Sequence, residues 1–278
     1  MSQKIIFMDI DGTLTEPGEN VPPESAVRAI GQARRAGHYV LLCTGRSYGM
    51  LMPLLQYGFD GVVGSSGGYI KCRGEVIYDC PMTERQRQSA MEILQRNGVY
   101  RTVECMEGSY TDGGFKDFLR KYEEERGDSE LLRWREQLEK SLNILPMREY
   151  KGQPAYKIVF MSPSMEALRE PQELLSDDFD FCIQGEDQYG FVNGEVVNRK
   201  FNKGRAVEKV CEYLQIPLSD SIAVGDSMND REMLETAGVS ICMANGNAEL
   251  MKIVDDVCPS VKEDGIYAAF LKYHLIEG

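Results

Sequence analysis

The chain has little histidine and tryptophan, and its cysteines lack the spacing of a metal site. Its 278 residues include two histidines, His38 and His274, and one tryptophan, and the eight cysteines are scattered without a Cys-x-x-Cys pair. Two separate histidines do not complete a zinc-binding motif, so a structural zinc domain is disfavoured. Scattered thiols are typical of a reducing compartment, and we therefore expect a cytoplasmic protein.

Long apolar runs are missing as well. No stretch approaches the roughly 20 apolar residues that span a bilayer. The residues before Lys4 contain no signal segment with a cleavage site, because the first apolar run begins directly after them. We expect no membrane partner and no leader sequence.

Positive charge is also scarce. The chain has 31 Lys and Arg residues against 44 Asp and Glu residues, a formal net charge of -13. This balance disfavours a nucleic-acid partner, which requires a basic face, but a small anionic substrate can still bind in a locally positive pocket. The expected partner is thus a small molecule, and the oligomeric state is left open between monomer and homodimer.

Strand and helix patterns alternate at both ends of the chain. Apolar strands are predicted after Lys4, over 38–43, 59–64, 221–226 and 239–243, with helices between them. This alternation is typical of a parallel α/β sheet. A hairpin is expected around Arg73-Gly74. The middle of the chain differs, since it mixes helices over 85–97, 114–126 and 164–175 with strands over 99–105, 156–161, 179–183 and 189–192. We interpret residues 83–192 as a separate module.

Two aspartates follow the first predicted strand. Side chains alternate along a strand, so Asp9 and Asp11 are expected to leave on the same side. Two such carboxylates repel each other unless a cation binds between them, which favours a metal or phosphate site. The alternative is that both residues only cap a turn or the next helix.

Polar residues occupy the ends of other predicted elements. Thr44, Lys203, Asp226, Asn229 and Asp230 follow strands or begin helices. Ligands of open α/β sheets bind outside the carboxyl ends of the strands, so these distant residues can form one pocket. Each has a structural alternative: Thr44 as a helix cap, Lys203 as a surface lysine, and the others as turn residues. Their occurrence in this order favours the pocket.

Four motifs carry a resemblance to a known family. They are Asp9-Ile10-Asp11-Gly12-Thr13, Thr44-Gly45-Arg46, Lys203-Gly204 and Gly225-Asp226-Ser227-Met228-Asn229-Asp230. In this order they resemble the motifs of the haloacid dehalogenase-like phosphohydrolases, and the long insertion resembles the Cof-type subclass with a large α/β cap. The chain departs from that pattern at a few loop positions, namely Ser66, Asn198, Lys200 and Gly246.

The resemblance implies a fold and a reaction. The fold is α/β, a Rossmann-like doubly wound parallel sheet core of residues 1–82 and 193–278 with an inserted α+β cap domain over 83–192. The reaction is Mg²⁺-dependent hydrolysis of a small phosphorylated metabolite. Asp9 is the expected nucleophile, which forms an acyl phosphate, and Asp11 is the expected general acid and base. Thr44 and Lys203 are expected to stabilise charge on the transferred phosphoryl group.

Further site residues follow from the same resemblance. The expected substrate ligands are Thr44, Gly45, Lys203 and Asn229. The expected metal ligands are Asp9, Asp226 and Asp11, the last through its carbonyl oxygen. Three residues are expected to support these groups: Asp230 by orienting Lys203, Arg46 by packing its loop rather than by binding phosphate, and Asn245 by shaping a loop.

Two other functions stay open at this point. A phosphomutase of the same architecture would return the phosphoryl group to a sugar, and a phosphosugar sensor or receiver domain would bind phosphate without turnover. A receiver needs neither the acid-base role of Asp11 nor a large cap, which makes it the weaker alternative. The loops of the middle module do not indicate which metabolite is the substrate.

Overall fold

The computed structural model describes residues 2–113, 144–186 and 191–278, and for residues 184–186 it describes the backbone only. The chain divides into two compact units. The first unit comprises Met1–Arg46, Leu51–Asp79 and Phe201–Gly278, and the second comprises Ser47–Met50 and Cys80–Lys200. None of the described helices has the length and apolar character that crossing a membrane requires.

An eight-stranded sheet forms the centre of the first unit. Its strands are β1 (Ile5–Met8), β2 (Tyr39–Cys43), β3 (Gly61–Gly64), β4 (Tyr69–Cys72), β5 (Glu75–Asp79), β12 (Ser221–Gly225), β13 (Val239–Met243) and β14 (Asp256–Cys258). The spatial order is β14-β13-β12-β1-β2-β3-β4-β5. The strands from β14 to β3 run parallel, and β4 and β5 are antiparallel. All four residues of β1 are fully buried, as expected for a central parallel strand covered on both faces.

The helices of the first unit are α1 (Glu24–Arg35), α2 (Met52–Leu55), α5 (Lys203–Leu214), α6 (Arg231–Thr236) and α7 (Gly265–Lys272). On α1 the buried residues Ala26, Ala29, Ile30 and Ala33 recur at helical spacing and form its apolar face. At the start of α5, the side chain of Asn202 accepts a hydrogen bond from the N–H of Arg205 and caps the helix. This cap fixes the position of Lys203, the first residue of α5.

The hairpin predicted around Arg73-Gly74 is present between β4 and β5. Both residues have positive φ angles, 51° and 88°, the combination that a tight two-residue hairpin turn requires. The parallel α/β core predicted from the sequence is therefore confirmed, together with its antiparallel edge.

In the part of the second unit that the structure describes, a six-stranded sheet packs with two helices. The strands are β6 (Tyr100–Cys105), β7 (Ser109–Thr111), β8 (Ile144–Pro146), β9 (Ala155–Ser162), β10 (Phe179–Glu186) and β11 (Val192–Asn198), and the helices are α3 (Glu84–Arg96) and α4 (Glu166–Leu175). Their order is β10-β11-β9-β6-β7-β8. Leu94 of α3 and Leu168 of α4 belong to one buried cluster with Val103, Ile158 and Val196 of the sheet. The mixed α+β character predicted for the middle of the chain is confirmed.

One strand of the second unit differs from its prediction. The sequence indicated a strand over 189–192; residues 189–190 lie outside the described residues, and β11 covers Val192–Asn198. Asn193-Gly194 has the composition of a turn, but Gly194 lies inside the strand, where a Cβ atom would come within 2.7 Å of the Phe160 ring. The glycine thus allows close packing instead of ending the strand. The helix predicted over 114–126 lies outside the described residues.

Candidate active site

Lys203 forms the centre of a buried charge cluster in the first unit. Its Nζ lies 2.7 Å from Oδ1 of Asp9 and 2.6 Å from Oδ1 of Asp230. It also donates to Oδ1 of Asn229 at 3.3 Å. The Lys203 side chain is 1% exposed, and those of Asp9 and Asp230 are 6% and 0% exposed. The structure thus brings together residues from the end of β1, the start of α5 and the segment after β12.

Backbone geometry explains why Asp9 enters this cluster. The N–H of Asp9 donates to the carbonyl of Val224 on β12 at 3.0 Å, so the chain keeps its strand pairing for one residue beyond β1. Lys203 approaches from the first turn of α5. Both aspartates therefore reach the same ammonium group, with a geometry that compensates part of the cost of burying three charges.

The cluster shifts the acid-base properties of its members. Burial, and then the negative charge of Asp230, raises the pKa of Asp9 to about 8 although Lys203 opposes the shift. Burial works against the charge on Lys203, but Asp230 and Asp9 outweigh it and keep the pKa of Lys203 above its ordinary value. Two carboxylates share one ammonium group, so the ionised cluster has an excess negative charge that favours the uptake of a proton or the binding of a cation.

Asp226 lies beside this cluster, at the end of β12. Its Oδ1 accepts a hydrogen bond from the hydroxyl of Thr13 at 2.8 Å. Gly12, with a φ of 83°, passes so close that a Cβ atom there would lie 2.4 Å from Oδ2 of Asp226. Burial raises the pKa of Asp226 to about 6. The Gly12-Thr13 pair therefore positions this carboxylate, a role that we did not assign from the sequence.

Three carboxylates are close enough to share a cation. Asp9, Asp226 and Asp230 each offer one oxygen within 4.8 Å of the others. Oδ1 of Asp230 binds Lys203, and its Oδ2 accepts the N–H groups of Asp226 and Ser227. In contrast, Oδ2 of Asp9 and Oδ2 of Asp226 accept no hydrogen bond from the described residues. Among the three aspartates, Asp9 and Asp226 thus have oxygens available for a hard cation such as Mg²⁺, and this donor set fits that ion.

Asp11 binds a different cation from Asp9. Arg46 donates from Nε to Oδ2 of Asp11 at 2.8 Å and from Nη2 to Oδ1 at 2.5 Å. The N–H of Gly18 donates to Oδ1 at 2.8 Å, and Nη1 of Arg46 donates to Asn20. The sequence analysis placed Asp9 and Asp11 on the same side of a strand. This alternation does not apply to them because β1 ends at Met8. The two aspartates nevertheless remain electrostatically coupled, since the charge of Asp11 contributes to the raised pKa of Asp9.

Thr44, Gly45 and Asn245 lie in loops of the same unit. Thr44 follows β2 and is 2% exposed, and its hydroxyl accepts the N–H of Arg46 at 3.2 Å. Gly45 lies between these two residues. Asn245 donates to the carbonyl of Gly12 at 2.7 Å and accepts the N–H of Val261 at 3.3 Å. Asn245 thus connects the loop after β13 to the loop that carries Asp9 and Asp11.

Residues 6–270 match the family model of the haloacid dehalogenase-like hydrolases. The chain belongs to this family. The match confirms the resemblance inferred from the four motifs.

Two bacterial relatives align with this family member over almost its full length. Phosphatase YwpJ of Bacillus subtilis is 26% identical and covers 98% of this chain and 100% of the relative. The 5-amino-6-(5-phospho-D-ribitylamino)uracil phosphatase YwtE of the same organism is 26% identical over 95% of each chain. The family and these relatives agree in reaction class, and the haloacid dehalogenase-like chain is an enzyme, a phosphoric monoester hydrolase.

A solved structure shows the same fold. The haloacid dehalogenase-like hydrolase from B. subtilis aligns with a TM-score of 0.78 and 24% identity, and the alignment covers 99% of this chain and 100% of that chain. The Rossmann-like α/β architecture predicted for this family member is therefore confirmed.

Proposed function

We propose that this enzyme is a Mg²⁺-dependent phosphatase that hydrolyses a small phosphorylated metabolite through an aspartyl-phosphate intermediate on Asp9. The observation that carries the proposal is the buried group of Asp9, Lys203 and Asp230 beside Asp226. It combines a carboxylate nucleophile with a fixed positive charge and an available pair of metal-binding oxygens. The scattered cysteines support the further proposal that the enzyme acts in the cytoplasm.

The proposed reaction has two half-reactions. In the first, a carboxylate oxygen of Asp9 attacks phosphorus and the bond to the leaving oxygen breaks, while Asp11 donates a proton to that oxygen. In the second, Asp11 removes a proton from water, which attacks phosphorus and releases Asp9 and inorganic phosphate. Lys203, Thr44, the Gly45 backbone and Asn229 bind the phosphoryl oxygens, on which negative charge accumulates.

The proposed metal site uses Asp9, Asp226 and the carbonyl of Asp11. A divalent cation bound there neutralises charge that would otherwise keep the carboxylate and the phosphate apart. Asp230 holds the ammonium group of Lys203, and Asn245 supports the loop with Gly12. In this proposal residues 1–82 and 193–278 form the catalytic core, and residues 83–192 form an inserted substrate-specificity cap.

The direct test is a panel of phosphorylated metabolites assayed for phosphate release with Mg²⁺ and with EDTA. The panel includes sugar phosphates, nucleotides and a ribityl phosphate, because one relative is a phosphatase of a ribitylaminouracil phosphate. We expect metal-dependent release from at least one of them, with one free alcohol formed per phosphate. Phosphoryl transfer between sugar positions without release would identify a mutase instead, and binding without turnover would identify a sensor.

The stabilisation of the protein by Mg²⁺ is expected to increase with pH. The pKa values of Asp9 and Asp226, about 8 and about 6, lie above the ordinary value of 3.8 because of burial. A raised carboxyl pKa favours the folded state fully below pH 3.8, and this contribution is lost as the pH rises through 6 and 8. Mg²⁺ offsets that loss because it binds the ionised carboxylates. The Tm increase on adding Mg²⁺ should be at least about 3 °C larger at pH 8.5 than at pH 6.0.

The control for this measurement is Asp226→Asn. This variant retains the oxygen that accepts from Thr13 but lacks the charge, so the Mg²⁺-dependent increase of Tm should nearly disappear at both pH values. Equal increases in the unmodified protein at pH 6.0 and pH 8.5 would contradict the proposed ligands.

The Asp11–Arg46 pair predicts that the loss of kcat in Asp11→Asn depends on the leaving group of the substrate. A general acid matters most for a poor leaving group, so Asp11→Asn should lower kcat for an alkyl phosphate by at least about 100-fold. The loss with p-nitrophenyl phosphate should be smaller because nitrophenolate leaves without a proton. Arg46→Lys keeps the charge but lacks the two-pronged contact that orients Asp11. It should therefore also lower the ratio of kcat for the alkyl phosphate to kcat for p-nitrophenyl phosphate.

Arg34→Lys is the matched control for Arg46→Lys. Arg34 forms the same kind of contact with Asp60, from Nε and Nη2, in the first unit but outside the candidate site. We expect an unchanged ratio of the two rates in this variant. If Arg46→Lys and Arg34→Lys behave alike, Arg46 does not position the general acid.

A further inference from the structure

The two histidines of the chain lie far apart in sequence but line one cavity. The cavity has a volume of about 830 Å³ and lies in the first unit, between the end of α1 and the segment after α7. We call it the histidine pocket, and its lining includes Gln32, Arg35, His38, Leu271, His274 and Leu275. The volume lies within the range of small-molecule sites.

The histidine pocket is separate from the candidate active site. His38 immediately precedes β2, whereas Thr44 immediately follows it. The pocket therefore lies at the amino end of the parallel strands, and the cluster of Asp9 and Lys203 lies at their carboxyl end. A five-residue strand separates the two ends by roughly 15 Å.

Hydrogen bonding fixes the protonation of His38. His38 is 5% exposed, and its Nδ1 accepts the backbone N–H of Lys4 at 3.0 Å. A nitrogen that accepts a hydrogen bond carries no proton, so the neutral ring has its proton on Nε2. Burial, and then the charge of Lys4, lowers the pKa of His38 and keeps the ring neutral. Nε2 is consequently a hydrogen-bond donor, and because it carries the proton it is not available as a metal ligand.

Two further polar groups that line the pocket have no protein partner among the described residues. Arg35 forms no ion pair with any described residue, although carboxylates outnumber cations in the chain. Oε1 of Gln32 is buried and has no hydrogen-bond partner. This atom is shielded from solvent, so it can accept from a ligand N–H or O–H group once the Gln32 side chain rotates toward the cavity. Leu271 and Leu275 add apolar surface beside these groups.

We propose that the histidine pocket binds a small organic anion that carries a carboxylate or phosphate group, a neighbouring N–H or O–H donor and an apolar body. Arg35 and Nε2 of His38 bind the anionic group, Gln32 accepts from the ligand donor, and the leucines contact the apolar body. Glu277 also lines the pocket and is the one acidic side chain among its lining residues, so it disfavours ligands with several negative charges. This binding site is additional to the proposed phosphatase site.

The two histidines make the test specific. Histidine imidazole signals of the full-length protein are recorded by NMR, with His274→Gln used to assign them, during titration with four probes. Anthranilate carries a carboxylate, a donor and an aromatic ring; phenylphosphonate carries a phosphonate on the same ring; benzamide is neutral; and acetate has no ring. We expect saturable shifts of both histidine signals with at least one aromatic anion, with a Kd at least tenfold below that of acetate, and none with benzamide.

Arg35→Gln tests the proposed contact, and Arg28→Gln on the same helix is its matched control. Arg28 stacks on the ring of Tyr267 and does not line the pocket. Arg35→Gln should raise the Kd of the bound anion at least fivefold, Arg28→Gln should not change it, and neither should alter hydrolysis of p-nitrophenyl phosphate. The stronger of the two aromatic anions identifies the preferred acidic group. Absence of saturable shifts with both, equal binding of benzamide, or unchanged affinity in Arg35→Gln overturns the proposal.

Discussion

Asp9→Asn is expected to lower kcat at least about 10³-fold while the protein stays folded, because the amide cannot form the acyl phosphate. The substitution keeps the shape of the side chain and its Oδ1 contact with Lys203. It also removes one of the two negative charges that share this ammonium group, so Lys203 retains Asp230 as its partner. The measurement is kcat for the best substrate of the panel, together with Tm and phosphate binding.

The control for the loss of charge is Asp220→Asn. Asp220 also pairs with a lysine, Lys4, but this pair is partly exposed and lies at the start of β12 instead of its end. Its substitution should leave kcat within about twofold, since exposed ion pairs contribute little to stability and this pair touches no candidate site residue. Turnover near the unmodified level in Asp9→Asn would reject Asp9 as the nucleophile and with it the aspartyl-phosphate mechanism.

The parts of the site that could be predicted follow from sheet topology. Asp9 and Thr44 each follow a predicted apolar strand and Asp226 ends one, and parallel strands place such residues along one edge. Lys203 could also be predicted, because it begins a helix in the part of the chain where the alternation of strands and helices resumes. Asp230 was expected beside Lys203, and the structure has this contact at 2.6 Å.

Other features depend on loop conformation or on contacts between distant segments. The two-pronged contact of Arg46 with Asp11 requires the fold of residues 16–20, which local patterns do not specify. The strand prediction stopped at Val192, whereas β11 continues through Gly194, where the lack of a Cβ atom allows close packing of the Phe160 ring. The joint position of His38 and His274 depends on α7 returning to α1, which no spacing in the sequence indicates.

Lys203→Met is expected to destabilise the protein by about 3–5 kcal/mol and to lower kcat at least about 10³-fold. Methionine has a similar length but no charge, so Asp9 and Asp230 would face each other in a buried site without a cation. One of them must then take up a proton or remain ionised without a partner, and both outcomes oppose folding. Urea unfolding at pH 7.5 in EDTA measures the stability, and the substrate assay measures kcat.

The double variant Lys203→Met with Asp230→Asn separates stability from catalysis. Asparagine can still accept the N–H groups of Asp226 and Ser227, but it removes the second buried charge. Because the loss of both partners of a buried pair costs much less than the loss of one, the double variant should recover most of the lost unfolding free energy. It should not recover turnover, since no ammonium group is left to stabilise the phosphoryl oxygens. Recovery of both properties would mean that Lys203 serves only to neutralise the buried aspartates, and its proposed contact with substrate would be wrong.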